Sequence, residues 1–138
     1  MAKEYLNAFV NNSATVRGAA AKEMTGAPHK AVAFDKDGNL DLPTAGGPAL
    51  GFVLSDAPGG TDGKIPAGTE IDVLIKDIGL GEASAAIAKG DAVAVTATGQ
   101  LKTAAGGEFI LGFAMTAAEA AGQLVQVQIT KSGYAPAS

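Results

Sequence analysis

KAVAFDKDGNLDLPTAGGPALGFVLSDA, Lys30 to Ala57, returns without a gap as DAVAVTATGQLKTAAGGEFILGFAMTAA, Asp91 to Ala118. The spacing is 61 throughout, from Lys30 to Asp91 at one end and from Ala57 to Ala118 at the other. Identical pairs include Ala31/Ala92, Val32/Val93, Ala33/Ala94, Gly38/Gly99, Leu40/Leu101, Gly46/Gly107, Leu50/Leu111, Gly51/Gly112 and Phe52/Phe113. The charged residues are not copied. What is duplicated is apolar positions and glycines, which specify packing and turns, and not a constellation of reactive groups. This is evidence against an enzyme.

Each copy reads as short strands. In the first, Ala31-Val32-Ala33-Phe34 is followed by Asp35 to Asn39 with its Asp-Gly turn signal, and Leu40 to Leu42 returns antiparallel. Leu50 to Leu54 forms the next strand after Gly46-Gly47-Pro48, and Asp56 to Thr69, rich in Gly, Asp and Pro, reads as a loop. Ile71, Val73 and Ile75 then alternate with Asp72, Leu74 and Lys76, the period of a strand with one buried face. Ala83 to Ala88 links the copies and reads as a single helical turn. The second copy repeats the order over Ala92–Val95, Leu101–Thr103 and Phe109–Met115, and Val125, Val127 and Ile129 match Ile71, Val73 and Ile75 at a spacing of 54. The shorter spacing places the length difference in the loop, where it is tolerated. The expected fold is all-β: a compact barrel or sandwich of two similar halves, residues 30–79 and 91–133, forming one domain over 29–138.

Residues 1–28 show no counterpart of that pattern and read as an N-terminal arm, partly disordered or ordered by pairing with a neighbour. Ser13 is placed to cap a short helix through Thr15, Val16 and Ala19–Met24, ending at Gly26, although Gly18 makes that helix marginal alone.

Composition narrows the function. A chain of 138 residues buries about two-thirds of its unfolded surface and needs no staples. There is no Cys, hence no disulfide or thiolate site, and five Phe, two Tyr and no Trp leave little for an aromatic cofactor pocket. A net charge of −4 without a basic block argues against nucleic-acid and anionic-membrane surfaces. The first residues lack the apolar core of a signal peptide, and no stretch approaches the roughly 18 apolar residues of a membrane span. A soluble, non-exported protein is expected.

No catalytic, cofactor or metal residue emerges. Asp35, Asp37, Asn39 and Asp41 alternate as calcium ligands do, but Gly38 is fourth and not sixth in the loop, and the copied turn Thr96–Lys102 has no carboxylate. A plain hairpin is the better reading. His29 has no partner in sequence, and no G-x-S-x-G surrounds Ser55, Ser84 or Ser132. Gly46-Gly47 and Gly106-Gly107 lack the G-K-[ST] of a phosphate loop. Lys36 at a hairpin tip invites comparison with the modified lysine of a lipoyl or biotinyl carrier, yet it lies inside the first half and its copy is Ala97. A carrier domain, or another small β interaction module, is the alternative reading.

The order of short strand, Gly-containing turn, A-G-G and L-G-F strand, followed by Lys89-Gly90-Asp91-Ala92-Val93, with AAIAKGDAVAVTATGQL and FILGFAMTAA as the closest phrases, resembles the phage capsid decoration, or head cement, proteins. The likeness covers about residues 30–133. The resemblance implies a non-enzymatic virion protein, made in the host cytoplasm, that binds the outer surface of the expanded head. Its partners would be the major capsid protein and itself, as a homotrimer at three-fold or quasi-three-fold positions, with no direct nucleic-acid or membrane contact and no cofactor. It also implies an arm that contributes to the contact, which places candidate interface residues at Tyr5, Phe9, Val10 and Val16.

Overall fold

The computed structural model describes residues 14–54 and 63–137, and these are all β with no helix. The first copy supplies β1 (Thr15–Ala19), β2 (Met24–Thr25), β3 (Ala31–Phe34), β4 (Leu40–Asp41), β5 (Gly51–Val53), β6 (Lys64–Ile65) and β7 (Glu70–Leu74). The second supplies β8 (Ile78–Glu82), β9 (Ala92–Val95), β10 (Leu101–Thr103), β11 (Phe109–Ala114) and β12 (Leu124–Tyr134). Two five-stranded antiparallel sheets result, ordered β4-β3-β5-β7-β1 and β10-β9-β11-β12-β8, strand for strand the same.

That correspondence corrects the reading of the N-terminal segment. β1 is the counterpart of β8: Gly18 pairs Ile71 just as Gly81 pairs Val125, and no helix forms between Ser13 and Gly26. Thr15, Val16, Arg17, Gly18 and Ala19 find cross-strand partners on β7, and a sheet ladder outweighs the weak helical preference of five residues with a glycine among them. Ala20, Met24 and Ala27 are buried in the first core, so residues 14–28 are integral to the barrel. The expected helical turn at Ala83–Ala88 is likewise absent. Residues 1–13 of the expected arm lie outside the described residues.

Each sheet curls closed. Ala20, just past β1, bridges Leu40, and its neighbour Ala21 donates its N–H to the Leu40 carbonyl at 2.8 Å. In the second copy Ala83 bridges Leu101, and Ser84 donates to the Leu101 carbonyl at the same 2.8 Å. A single bridge thus joins the two outer strands of each sheet at one point of the seam. β2 pairs β6 through Met24 and Ile65, a pairing matched in the second copy by the bridge from Ile87 to Ala118.

The duplicated residues explain the fold locally. Gly38 and Gly99 sit at φ 81° and 78°, each closing its turn with an N–H to the carbonyl of Asp35 or Thr96. Asp35 Oδ1 accepts from the N–H groups of Asp37 and Asn39, both at 2.9 Å, while Thr96 Oγ1 accepts from Gln100 N–H at 3.1 Å. The Asp35 carboxylate thus holds its own turn. Gly51 and Gly112 let β5 and β11 press against their neighbours: a Cβ there would lie 1.8 Å from the Leu74 carbonyl oxygen and 2.0 Å from that of Gln128.

The barrels join head to tail. Phe52 of the first copy, 1% exposed, packs beside Gly79 and Gly81 of β8 and belongs to the second barrel's core with Val93, Val95 and Leu101. Around it Ala31 N–H donates to the Gly99 carbonyl at 2.8 Å, and Lys30 Nζ lies 3.0 Å from Glu82 Oε1, which also accepts from Gln100 Nε2 at 2.6 Å. The turn Thr44–Gly47 inserts its Gly46 into the second barrel, donating to the Val95 carbonyl at 2.9 Å and accepting from Phe109 N–H at 3.0 Å. Among the described residues the reciprocal contacts are not made: beyond their chain neighbours, Gly38 and Gly107, the counterparts of Gly99 and Gly46, have no heavy atom within 4 Å of a Cβ position. One end of each barrel type is therefore used inside the molecule and its equivalent is left over.

Candidate docking surface

Over β8, β11 and β12 the second sheet turns outward a face of large apolar residues and glutamines, with Glu82, opposite Leu124, as the charge at its margin. β11 presents Phe113 and, just beyond it, Met115; β12 presents Leu124, Gln126 and Gln128; β8 presents Ile78 and Leu80. Cross-strand register lines them up, with Phe113 opposite Gln128 opposite Ile78, and Gln126 opposite Leu80. Ile78 is 53% exposed, Leu124 47%, Leu80 40%, Met115 38% and Phe113 36%. Such a contiguous patch, charge-free at its centre and with apolar residues of high contact area, is a composition that protein interfaces favour.

The first copy answers the same positions differently. Where the second has Leu80, Gln126 and Leu124, the first has Arg17, Asp72 and Glu70. Arg17 Nε and Nη2 donate to Asp72 Oδ1 and Oδ2 at 3.0 and 3.2 Å, and the guanidinium holds the Asp72 carboxyl below the usual carboxylate range. The pair is solvent-exposed, so it contributes solubility more than stability.

At the leftover end of the first barrel lies a groove of about 530 Å³ walled by Phe34, Asp35, Asp41, Leu42, Pro48 and Leu50. Phe34 is 53% exposed, whereas its counterpart Val95 is 1% exposed beneath the Gly46 turn.

Of the expected interface residues, Tyr5, Phe9 and Val10 lie outside the described residues. Val16 is half-buried in β1 and packs against the first barrel's own core. Lys36 is exposed at its hairpin tip with Asp37 Oδ2 at 3.2 Å. His29, at φ 69°, donates its N–H to the Val53 carbonyl and borders a cavity of about 170 Å³. Among the described residues no three His, Cys, Asp or Glu side chains group as metal ligands do. The patch on β8 and β12 was half-visible in sequence: burying Val125, Val127 and Ile129 turns Leu124, Gln126 and Gln128 outward. Ile78-Gly79-Leu80-Gly81 gave no strand signal, because its glycines face inward to admit Phe52 and Leu101.

Two barrels, with an outward apolar face on one and an open groove on the other, make up the described residues. Residues 8–129 match the XM1 gp53 minor capsid protein family, and the chain belongs to that family. It is a structural, capsid-associated protein of a bacteriophage, in keeping with the resemblance noted above. Its fold is similar to the head fibre gp8.5 N base of bacteriophage phi29, with a TM-score of 0.66 at 15% identity, covering 86% of this chain and 95% of that one. No curated protein matches the chain.

Proposed function

We propose that this protein decorates the outer surface of the expanded phage head and stabilises it by bridging neighbouring major capsid subunits. Its membership of a minor capsid protein family over residues 8–129 carries this reading. The geometry supports it: a rigid duplicated scaffold offers a separate surface on each copy, and two contacts on different subunits make a clamp. The apolar face of β8, β11 and β12 is the main footprint, joined by Tyr5, Phe9 and Val10 of the N-terminal segment. Three copies gather around each three-fold or quasi-three-fold position, where the lattice supplies the symmetry and avidity adds their contacts. Function follows from occupancy at many sites and requires no chemistry of the protein's own.

The test is co-sedimentation of the purified protein with expanded, undecorated heads and with unexpanded shells of the same capsid protein. Saturable binding to expanded heads alone, lost in Leu80→Glu and Leu124→Lys while both variants keep the wild-type Tm, is the expected result. Absence of binding to either particle would end the decoration reading. A deletion probing the N-terminal segment must stop at Ser13, because removing residues through Ala27 takes away β1 and three core residues.

The likeness to a head fibre base favours one further reading, that the barrels seat a projecting fibre on the head. Electron microscopy of decorated heads separates them: low knobs fit a cement, extended projections a fibre base.

A further inference from the structure

The molecule contains two versions of one groove, and the described residues fill one of them. In the second barrel, the space between the end of β9 and the start of β11 receives the Thr44–Gly47 turn. Gly46 donates to the Val95 carbonyl, and its site is so close that a Cβ would lie 2.8 Å from Glu108 Oε2. The equivalent space in the first barrel, between Phe34 and Pro48, is the open 530 Å³ groove. The matching turn of a second copy is a poor occupant. The turn that a second copy would offer, Ala105–Gly107, already donates its Gly107 N–H to the Ala135 carbonyl at 3.0 Å, and exposed Gln128 stands where the first copy has Leu74.

We propose that the groove between Phe34 and Pro48 captures a glycine-containing turn of the major capsid protein, as its twin captures Gly46. This rests on the capsid-binding reading and names the first barrel's contact within it. The chemistry of the turn follows from the differences between the two grooves. Phe34 replaces Val95 and offers the same main-chain carbonyl with a larger apolar wall. Pro48 replaces Phe109 and has no N–H to give, so the turn is held through its donor alone. Gly47 replaces Glu108, which relieves the crowding that confines the twin's occupant. Asp41 replaces Lys102, and with Asp35 makes the rim acidic; among the described residues Lys22 pairs to Asp41 at 3.4 Å from a largely exposed position. The turn that fits therefore carries a basic side chain beside its glycine. With the apolar face of the second barrel on one capsid subunit, the groove grips the next.

The experiment titrates expanded heads with wild type, Phe34→Ser and Asp41→Asn, checking each variant's Tm. Phe34 is exposed, so its replacement leaves the fold intact. Expected is a loss of about tenfold in apparent affinity for Phe34→Ser, the scale of a central aromatic contact, and a weaker salt dependence for Asp41→Asn. Wild-type affinity in both variants would overturn the groove proposal while leaving the decoration reading standing. So would self-association of the wild type that Phe34→Ser abolishes without changing head binding. If wild type binds no heads, the decoration reading fails by itself. The groove is then judged by amide chemical shifts on adding a cyclic peptide of sequence PTAGGPK: shifts centred on Phe34, Asp41 and Leu50 sustain a turn-binding groove, and their absence removes it.

Discussion

Phe52 and Phe113 occupy the same position of a duplicated sequence, yet truncating them has consequences of very different size. Phe52 is 1% exposed and fills space beside Gly79 and Gly81, where only the tip of Leu74 joins it from the first copy among the described residues; Phe113 is 36% exposed on the outward face. Phe52→Ala removes a buried ring and leaves a cavity that two glycines cannot fill, a loss of about 3–5 kcal/mol. For a chain of this size that lowers Tm by roughly 10–20 °C, at a few degrees per kcal/mol. It represents a large part of the 5–15 kcal/mol by which a domain is stable. Phe113→Ala gives up only the covered part of its ring, below about 1 kcal/mol. Urea unfolding followed by far-UV circular dichroism measures both, since the chain has no Trp for fluorescence. Equal midpoints for the two variants, or a Phe52→Ala cost under about 1 kcal/mol, would refute the head-to-tail packing described above.

Gly51→Ala and Gly112→Ala are each expected to prevent stable folding, because a Cβ at 1.8 or 2.0 Å from a main-chain oxygen forces neighbouring strands apart; a soluble variant with wild-type Tm would contradict the close approach. Acid should loosen the join between barrels. Hydrogen bonding from Lys30 lowers the Glu82 carboxyl below its ordinary 4.5, and the Ala105 N–H does the same for Glu108. Stability from these depressed groups is fully present above that ordinary value and is lost as pH falls through the folded-state values. Tm should therefore hold from pH 7 to about 5 and drop below about 4.5, less steeply in Glu82→Gln; an unchanged slope in that variant would sink the assignment.

The repeat was legible because its signals are local. Alternation marked β7 and β12, the Asp-Gly turn marked the β3–β4 hairpin, and the L-G-F phrase marked the strands β5 and β11. β1 and β8 escaped because their identity is tertiary: Gly18, Gly79 and Gly81 read as breakers until Leu40, Leu101 and Phe52 are seen beside them. The same holds for the docking surface. Exposure of Phe34 and burial of Val95 cannot be told from two equivalent apolar residues, since the difference is made by a turn from the other copy. The helix expected across Thr15 to Met24 failed for the same reason, its residues being recruited by β7 and the first core.

The contrast between Arg17–Asp72 on one barrel and Leu80–Gln126 on the other bears on how such a protein can change over generations. A single barrel that turned its sheet face apolar would endanger its own solubility at every step. Here the sister barrel keeps an ionic face in reserve, which leaves the second free to change. If its apolar face is the footprint proposed above, two copies separate the task of staying dissolved from the task of adhering, and related proteins should differ most on β8 and β12 and least on β1 and β7.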